Sequence, residues 1–103
     1  MDAYKESMSV GMKMKAIREE ELLNRREVAE LTGINYGTLN HYENDRSMPS
    51  TEVMMRLLAH PRFQKYTLWV MTDAIAPESG QIAPSDYVLR KISKPENDGK
   101  KTG

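Results

Sequence analysis

The stretch LTGINYGTLNHYEND, residues 31–45, decides the fold, because a glycine, an asparagine and several apolar residues fall at the spacings of a tight turn feeding a short helix. Asn35 suits an N-cap, since its side-chain oxygen can accept from an amide in the first turn that would otherwise lack a partner. Ile34 before it and Leu39 after it occupy the positions of a hydrophobic staple. Gly33 can take the positive φ that closes a preceding helix. The same device stands eleven residues earlier, where Asn24 and Glu27 have the spacing of a reciprocal capping box and Leu23 and Val28 that of a staple. Two helix starts this close leave room for one short helix, residues 25–32, and one tight turn. Ala29 is small enough for the two helices to approach closely. Leu31, Gly33, Ile34, Leu39, Tyr42 and Glu43 are expected to build the fold.

Outward from this centre, Val10, Met14 and Ile17 recur at helical spacing and predict a first helix over residues 9–21. The Glu19–Glu21 run reads as its solvated end. Ser50 caps a fourth helix with an apolar stripe of Val53, Met54, Leu57 and Leu58, stopped by Pro61. Met14, Met54 and Met55 read as core filler. A fifth helix follows in RFQKYTLWVMTD. Its Phe63, Tyr66, Trp69 and Val70 exceed one face of so short a segment, so part should fill the core and part is available to a second copy. Beyond it, APESGQIAPSDYVLRKI predicts a loop and a short helical turn with Tyr87, Val88 and Ile92 facing inward. The expected organisation is a leader over residues 1–8, a helical unit over 9–75 with its central helix pair at 24–44, an extension over 76–92, and a disordered tail over 93–103, poor in apolar residues and rich in breakers. The extension serves either as a strap across the core or as a dimer contact. The fold class is all-α, a compact bundle of about five short helices.

Composition narrows the functional classes. The chain has 103 residues, of which 39% are hydrophobic and 29% charged, with fifteen basic and fifteen acidic side chains, and it contains no cysteine. A formal net charge of zero and a pI of about 6.7 argue against indiscriminate coating of nucleic acid, for which the pI usually exceeds about 9. They leave room for a local basic face. Without cysteine there is no disulfide framework and no thiolate metal site, and His41 and His60 share no ligand spacing, so neither metal nor cofactor is expected. No apolar run reaches the roughly 18 residues of a membrane span. A cytoplasmic, nucleoid-associated protein without membrane contact is expected. No nucleophile, base and orienting partner stand at a suggestive spacing, so the chain does not read as an enzyme.

The run from Val10 to Ser50, carrying KAIREEELLNRREVAELTGINYGTLNHYEND with MPS behind it, resembles without a gap the Cro and lambda-repressor type helix-turn-helix, also called the Xre family. Leu23, Val28, Ala29, Leu31, Gly33, Ile34, Leu39, Tyr42 and Glu43 match in type and spacing, over about two fifths of the chain. A looser likeness extends through TLWVMTD. The resemblance implies a lambda-repressor-like bundle whose second motif helix lies in the major groove of DNA. Its outward, base-reading positions are then Tyr36, Gly37, Thr38, Asn40 and His41. Asn40 can pair with an adenine edge, Thr38 can meet a thymine, and His41 can donate or accept. The phosphate-contacting positions are Asn24, Arg25, Asn44 and Arg46, with Arg25 standing where the family often has glutamine. The family also implies a partly buried ion pair, here Arg18 with Glu43. Two departures are Leu22 and Asp45, where glycine is frequent. Asp45 further sets a negative charge beside the implied phosphate path.

By this resemblance the expected activity is that of a sequence-specific regulator of double-stranded DNA, Cro-like or repressor-like, of a phage, prophage or mobile element. Because one short helix reads few base pairs and a neutral chain gains little from phosphate attraction, a homodimer on a palindromic operator is expected. The chain has no room for the self-cleaving domain of larger repressors, so relief would come from dilution, degradation or an antirepressor. Two alternatives remain open: an antitoxin of the same fold that also binds a toxin, and a protein-interaction module without DNA binding.

Overall fold

Four of the helices begin on a side chain that accepts an otherwise partnerless amide: Ser9 from Met12, Asn24 from Glu27, Asn35 from Thr38 and Ser50 from Val53. At Asn24 the Glu27 carboxylate reaches back to the cap's own amide at 2.8 Å and completes a capping box. The computed structural model describes residues 8–85. Its helices are α1 (Val10–Glu20), α2 (Arg25–Thr32), α3 (Tyr36–Glu43), α4 (Thr51–Ala59) and α5 (Thr67–Thr72), with 3-10 turns at Gln64–Tyr66 and Pro77–Ser79. No strand forms among the described residues beyond an isolated antiparallel bridge between Ala76 and Gln81. The arrangement is the expected all-α bundle.

The core is built from Met14 and Ile17 of α1, Val28 of α2, Leu39 of α3, Met54, Leu57 and Leu58 of α4, and Trp69 and Val70 of α5, with Ile34, Phe63, Tyr66 and Ala83 from the connections. Phe63, Tyr66, Trp69 and Val70 are all buried. None of the four is left for a second copy, which corrects the expected division. The cause is the 3-10 turn before α5: three residues per turn align Phe63, Tyr66 and Trp69 on one side.

Three other expectations are overturned. Met55 is 67% exposed, because it lies between the inward positions Met54 and Leu58 of α4 and turns away from both. Leu31 is 41% exposed and builds little of the core, since Val28 and Thr32 hold the inner face of α2. The Glu19–Glu21 run is not simply solvated. Glu21 accepts from the Tyr66 hydroxyl at 2.6 Å and pairs with Lys65 and Arg62, tying the end of α1 to the segment before α5, while Glu20 accepts from Ser85. Burial opposes ionisation of Glu21, but the hydrogen bonds from Tyr66, Lys65 and Arg62 outweigh it and hold its carboxyl below the usual range.

Beyond the 3-10 turn at Pro77–Ser79, which is exposed, Ala83 and Pro84 are buried and the Ile82 amide donates to the Lys65 carbonyl at 2.8 Å. Tyr87, Val88 and Ile92 lie outside the described residues. The ammonium of Lys13 is buried at the end of α5. It donates to the carbonyls of Trp69 and Val70, each at 3.1 Å, and meets the Asp73 carboxylate at 2.6 Å, so that it caps a helix end and carries its charge there with partners.

Candidate nucleic-acid interface

The two sides of α3 are chemically distinct. Leu39 and Glu43 are buried, and Tyr42 is half-buried against the core. Tyr36, Gly37 and His41 are exposed, and Thr38 and Asn40 are partly so. An eight-residue helix has little stability of its own, so its placement must come from neighbours.

Besides the packing of Leu39 and Tyr42 on the core, two contacts hold it. The first is a carboxylate shared by two guanidinium groups. Arg18 of α1 donates through Nε to Glu43 Oε2 and through a terminal nitrogen to Oε1, both at 2.9 Å, the two-pronged geometry that fits a planar fork. Arg25 adds its Nε to Oε1 at 2.9 Å, while Arg18 also donates to the Leu23 carbonyl. One buried carboxylate thus fixes α1, the loop after it, α2 and α3. The second is Gly11 of α1, whose missing Cβ lets the Tyr42 carbonyl approach; a carbon added there would meet backbone. Neither the closeness at Gly11 nor the part of Arg25 in this cluster is legible in the sequence.

The exits of α1 and α3 are alike. After α1 the Leu23 amide donates to the Arg18 carbonyl and the Leu22 amide to Glu19; after α3 the Arg46 amide donates to His41 and the Asp45 amide to Tyr42. Both are Schellman ends, and the residue in the left-handed position is Leu22 (φ 60°) in one and Asp45 (φ 58°) in the other, where glycine carries no steric cost. Asp45 accepts from the Ser9 hydroxyl at 2.8 Å, which draws its carboxylate toward the start of α1.

Around this frame lie the remaining polar groups. Asn44 donates through Nδ2 to the Asn40 carbonyl at 2.8 Å and to Asn40 Oδ1 at 3.1 Å, so two side-chain amides one helical turn apart are joined. Asn24 spends its side-chain oxygen on the cap of α2 and keeps its amide donors. Arg25 is tethered through Nε, its side chain 28% exposed, with its terminal nitrogens unspent among the described residues. Arg46 and His41 are exposed without a side-chain partner there. Arg26, which no sequence motif singles out, stands 5.1 Å from the centre of the Tyr36 ring. No periodicity connects these two residues; the turn at Gly33 brings them together. The structure therefore gathers Asn24, Arg25, Arg26, Tyr36, Gly37, Thr38, Asn40, His41, Asn44 and Arg46 around the starts of α2 and α3 and the exit of α3, while Arg18 and Glu43 lie beneath as support.

A protein-family model described as Helix-turn-helix matches residues 14–62, which contain α2, α3 and most of their supports. The chain is also 48% identical over 99 residues to Repressor protein C of Escherichia phage P2, an alignment covering 94% of this chain and 99% of that protein. Identity of that extent, together with the capped helix pair and its glycine turn, shows that the chain belongs to the Cro and lambda-repressor type helix-turn-helix family of DNA-binding proteins.

Proposed function

We propose that this protein is a sequence-specific transcriptional repressor of the phage type, which binds as a homodimer to a palindromic operator in double-stranded DNA and blocks transcription by occupying it. The observation that carries this reading is the two-sided α3. Leu39 and Glu43 anchor it to the rest of the bundle, and Tyr36, Thr38, Asn40 and His41 lie on the other, more exposed side, where their hydrogen-bonding groups are available to base edges or backbone. The relationship to a phage repressor over nearly the whole of both chains supports the same reading.

In this reading Asn40, Thr38 and His41 meet base edges, with Gly37 allowing close approach, and the amide of Asn40 pairs with an adenine edge, as asparagine side chains can. Asn44, the residue that ends α3, holds the oxygen side of the Asn40 amide, which restricts the direction of its free edge. Arg46, Asn24 and the free end of Arg25 take phosphates and set register. A formal charge of zero means that general attraction to DNA is weak, so affinity rests on two subunits reading two half-sites about 34 Å apart.

Selection of bound sites from random duplex DNA at defined salt, followed by footprinting, tests this. A palindrome with half-sites one helical turn apart is expected. Absence of any enriched sequence at low salt removes the proposal.

A further inference from the structure

The contact between Arg26 and Tyr36 is not explained by the fold. Both side chains are on the exposed surface, and neither supports the core. Tyr36 opens α3, and Arg26 lies in the first turn of α2, one residue past Arg25. The charges of these two arginines are disposed differently. Arg25 is drawn to the buried Glu43 and shares that carboxylate with Arg18. Arg26 makes no ion pair among the described residues, although Glu30 stands one turn along the same helix. Its one described partner is the Tyr36 ring, with the guanidinium carbon 5.1 Å from the ring centre. A guanidinium over an aromatic ring is attracted by the ring's negative face, yet the N–H groups along its edge remain unspent. Such an arrangement restricts the motion of a long side chain without consuming its donors.

We propose that Arg26 is the principal phosphate-contacting cation at the start of α2, and that Tyr36 acts as its platform rather than as a reader of bases. The inference rests on the DNA-binding reading above and reassigns Tyr36 within it. The ligand is the phosphodiester backbone. In a helix-turn-helix the first motif helix crosses that backbone while the second enters the groove, which sets a cation on α2 against phosphate. Tyr36 is then a positioning residue, because it lowers the freedom Arg26 must give up on binding.

The test is a salt series of binding measurements on the intact protein, using the duplex recovered by selection and a scrambled duplex of the same length. Arg26→Ala is expected to weaken binding to both duplexes, about tenfold per subunit, and to reduce the slope of log affinity against log salt by about 0.9 per subunit. Tyr36→Ala should lower affinity with little change in slope, Tyr36→Phe should restore it, and the double variant Arg26→Ala with Tyr36→Ala should be no weaker than Arg26→Ala alone. Thermal unfolding of each variant, expected near that of the parent because both residues are exposed, verifies the fold. If the parent protein binds neither duplex at low salt, the DNA-binding reading fails and this inference with it. If the parent binds and Arg26→Ala leaves affinity and slope unaltered, the inference alone is overturned. It is equally overturned if Tyr36→Phe loses preference at one base position, since the hydroxyl would then be reading sequence.

Discussion

Replacing Gly11 by alanine sets two effects of opposite sign against each other. Within a helix, alanine is ordinarily favoured over glycine by about 0.8–1.0 kcal/mol. Here the added carbon would stand 2.9 Å from the Tyr42 carbonyl carbon and 2.9 Å from Asp45 Oδ1, nearer still to the Tyr42 carbonyl oxygen, against 3.4 Å where ordinary contact begins. Asp45 can swing aside; the Tyr42 carbonyl belongs to the backbone of α3 and cannot. Because the carbonyl oxygen is the nearest atom, relief requires α1 and α3 to separate by more than an ångström, which strains the fork between Arg18 and Glu43. Overpacking of this kind costs about 1–3 kcal/mol, and an immovable neighbour argues for the upper end. Subtracting the helix preference leaves a net loss of about 2 kcal/mol, or roughly 8–16 °C in melting temperature for a domain of this size. Urea and thermal unfolding measure it directly, and DNA affinity should fall as well, because α3 is displaced. Stability within about 0.5 kcal/mol of the parent protein, the span of an inconsequential substitution, or an increase, would refute the close approach.

Further outcomes rest on the same contacts. Leu22 is 90% exposed and held at φ 60°, so Leu22→Gly removes left-handed strain and forfeits almost no burial; a gain of about 0.5–1 kcal/mol in urea unfolding is expected, and a loss would show that the side chain has a packing role. Glu43→Gln leaves the Arg18 guanidinium buried without its counter-charge and should cost about 3–5 kcal/mol, with a neutral result contradicting the shared-carboxylate arrangement. Glu21 ionises more readily in the folded chain than in the unfolded one. Its contribution is therefore complete above the ordinary carboxylate range and is lost as pH falls through the lowered folded value. Glu21→Gln should flatten the acid limb of stability against pH, and an unchanged limb would mean the cluster with Tyr66, Lys65 and Arg62 is not formed.

The parts of this structure that could be read from sequence are those in which chemistry is local. Asn24 with Glu27 and Asn35 before Leu39 are decided within a few residues, so α2 and the start of α3 fall where the capping pattern puts them. Gly33 takes a φ of 77° because the turn demands it. Side-chain fate is less local. Met55 and Leu31 match their segments in type yet face outward, since a short helix has few inward positions and Met54, Leu58, Val28 and Thr32 already hold them. Glu21 sits in a run that composition marks as solvated, but its partners lie more than forty residues away. The contact of Arg26 with Tyr36 and the close approach at Gly11 are invisible for the same reason: each depends on a residue on another helix. The order of the elements is legible from pattern, and the interface is legible chiefly through family resemblance.

The most direct test of the central claim, that α3 reads base edges from both subunits of a dimer, compares the sites selected from random DNA by the parent protein and by Asn40→Ala. A palindrome is expected for both, with preference lost in the Asn40→Ala variant at one base pair of each half-site, at symmetric places, and retained elsewhere. An identical motif for the two proteins, or a change spread evenly over the site, would contradict it.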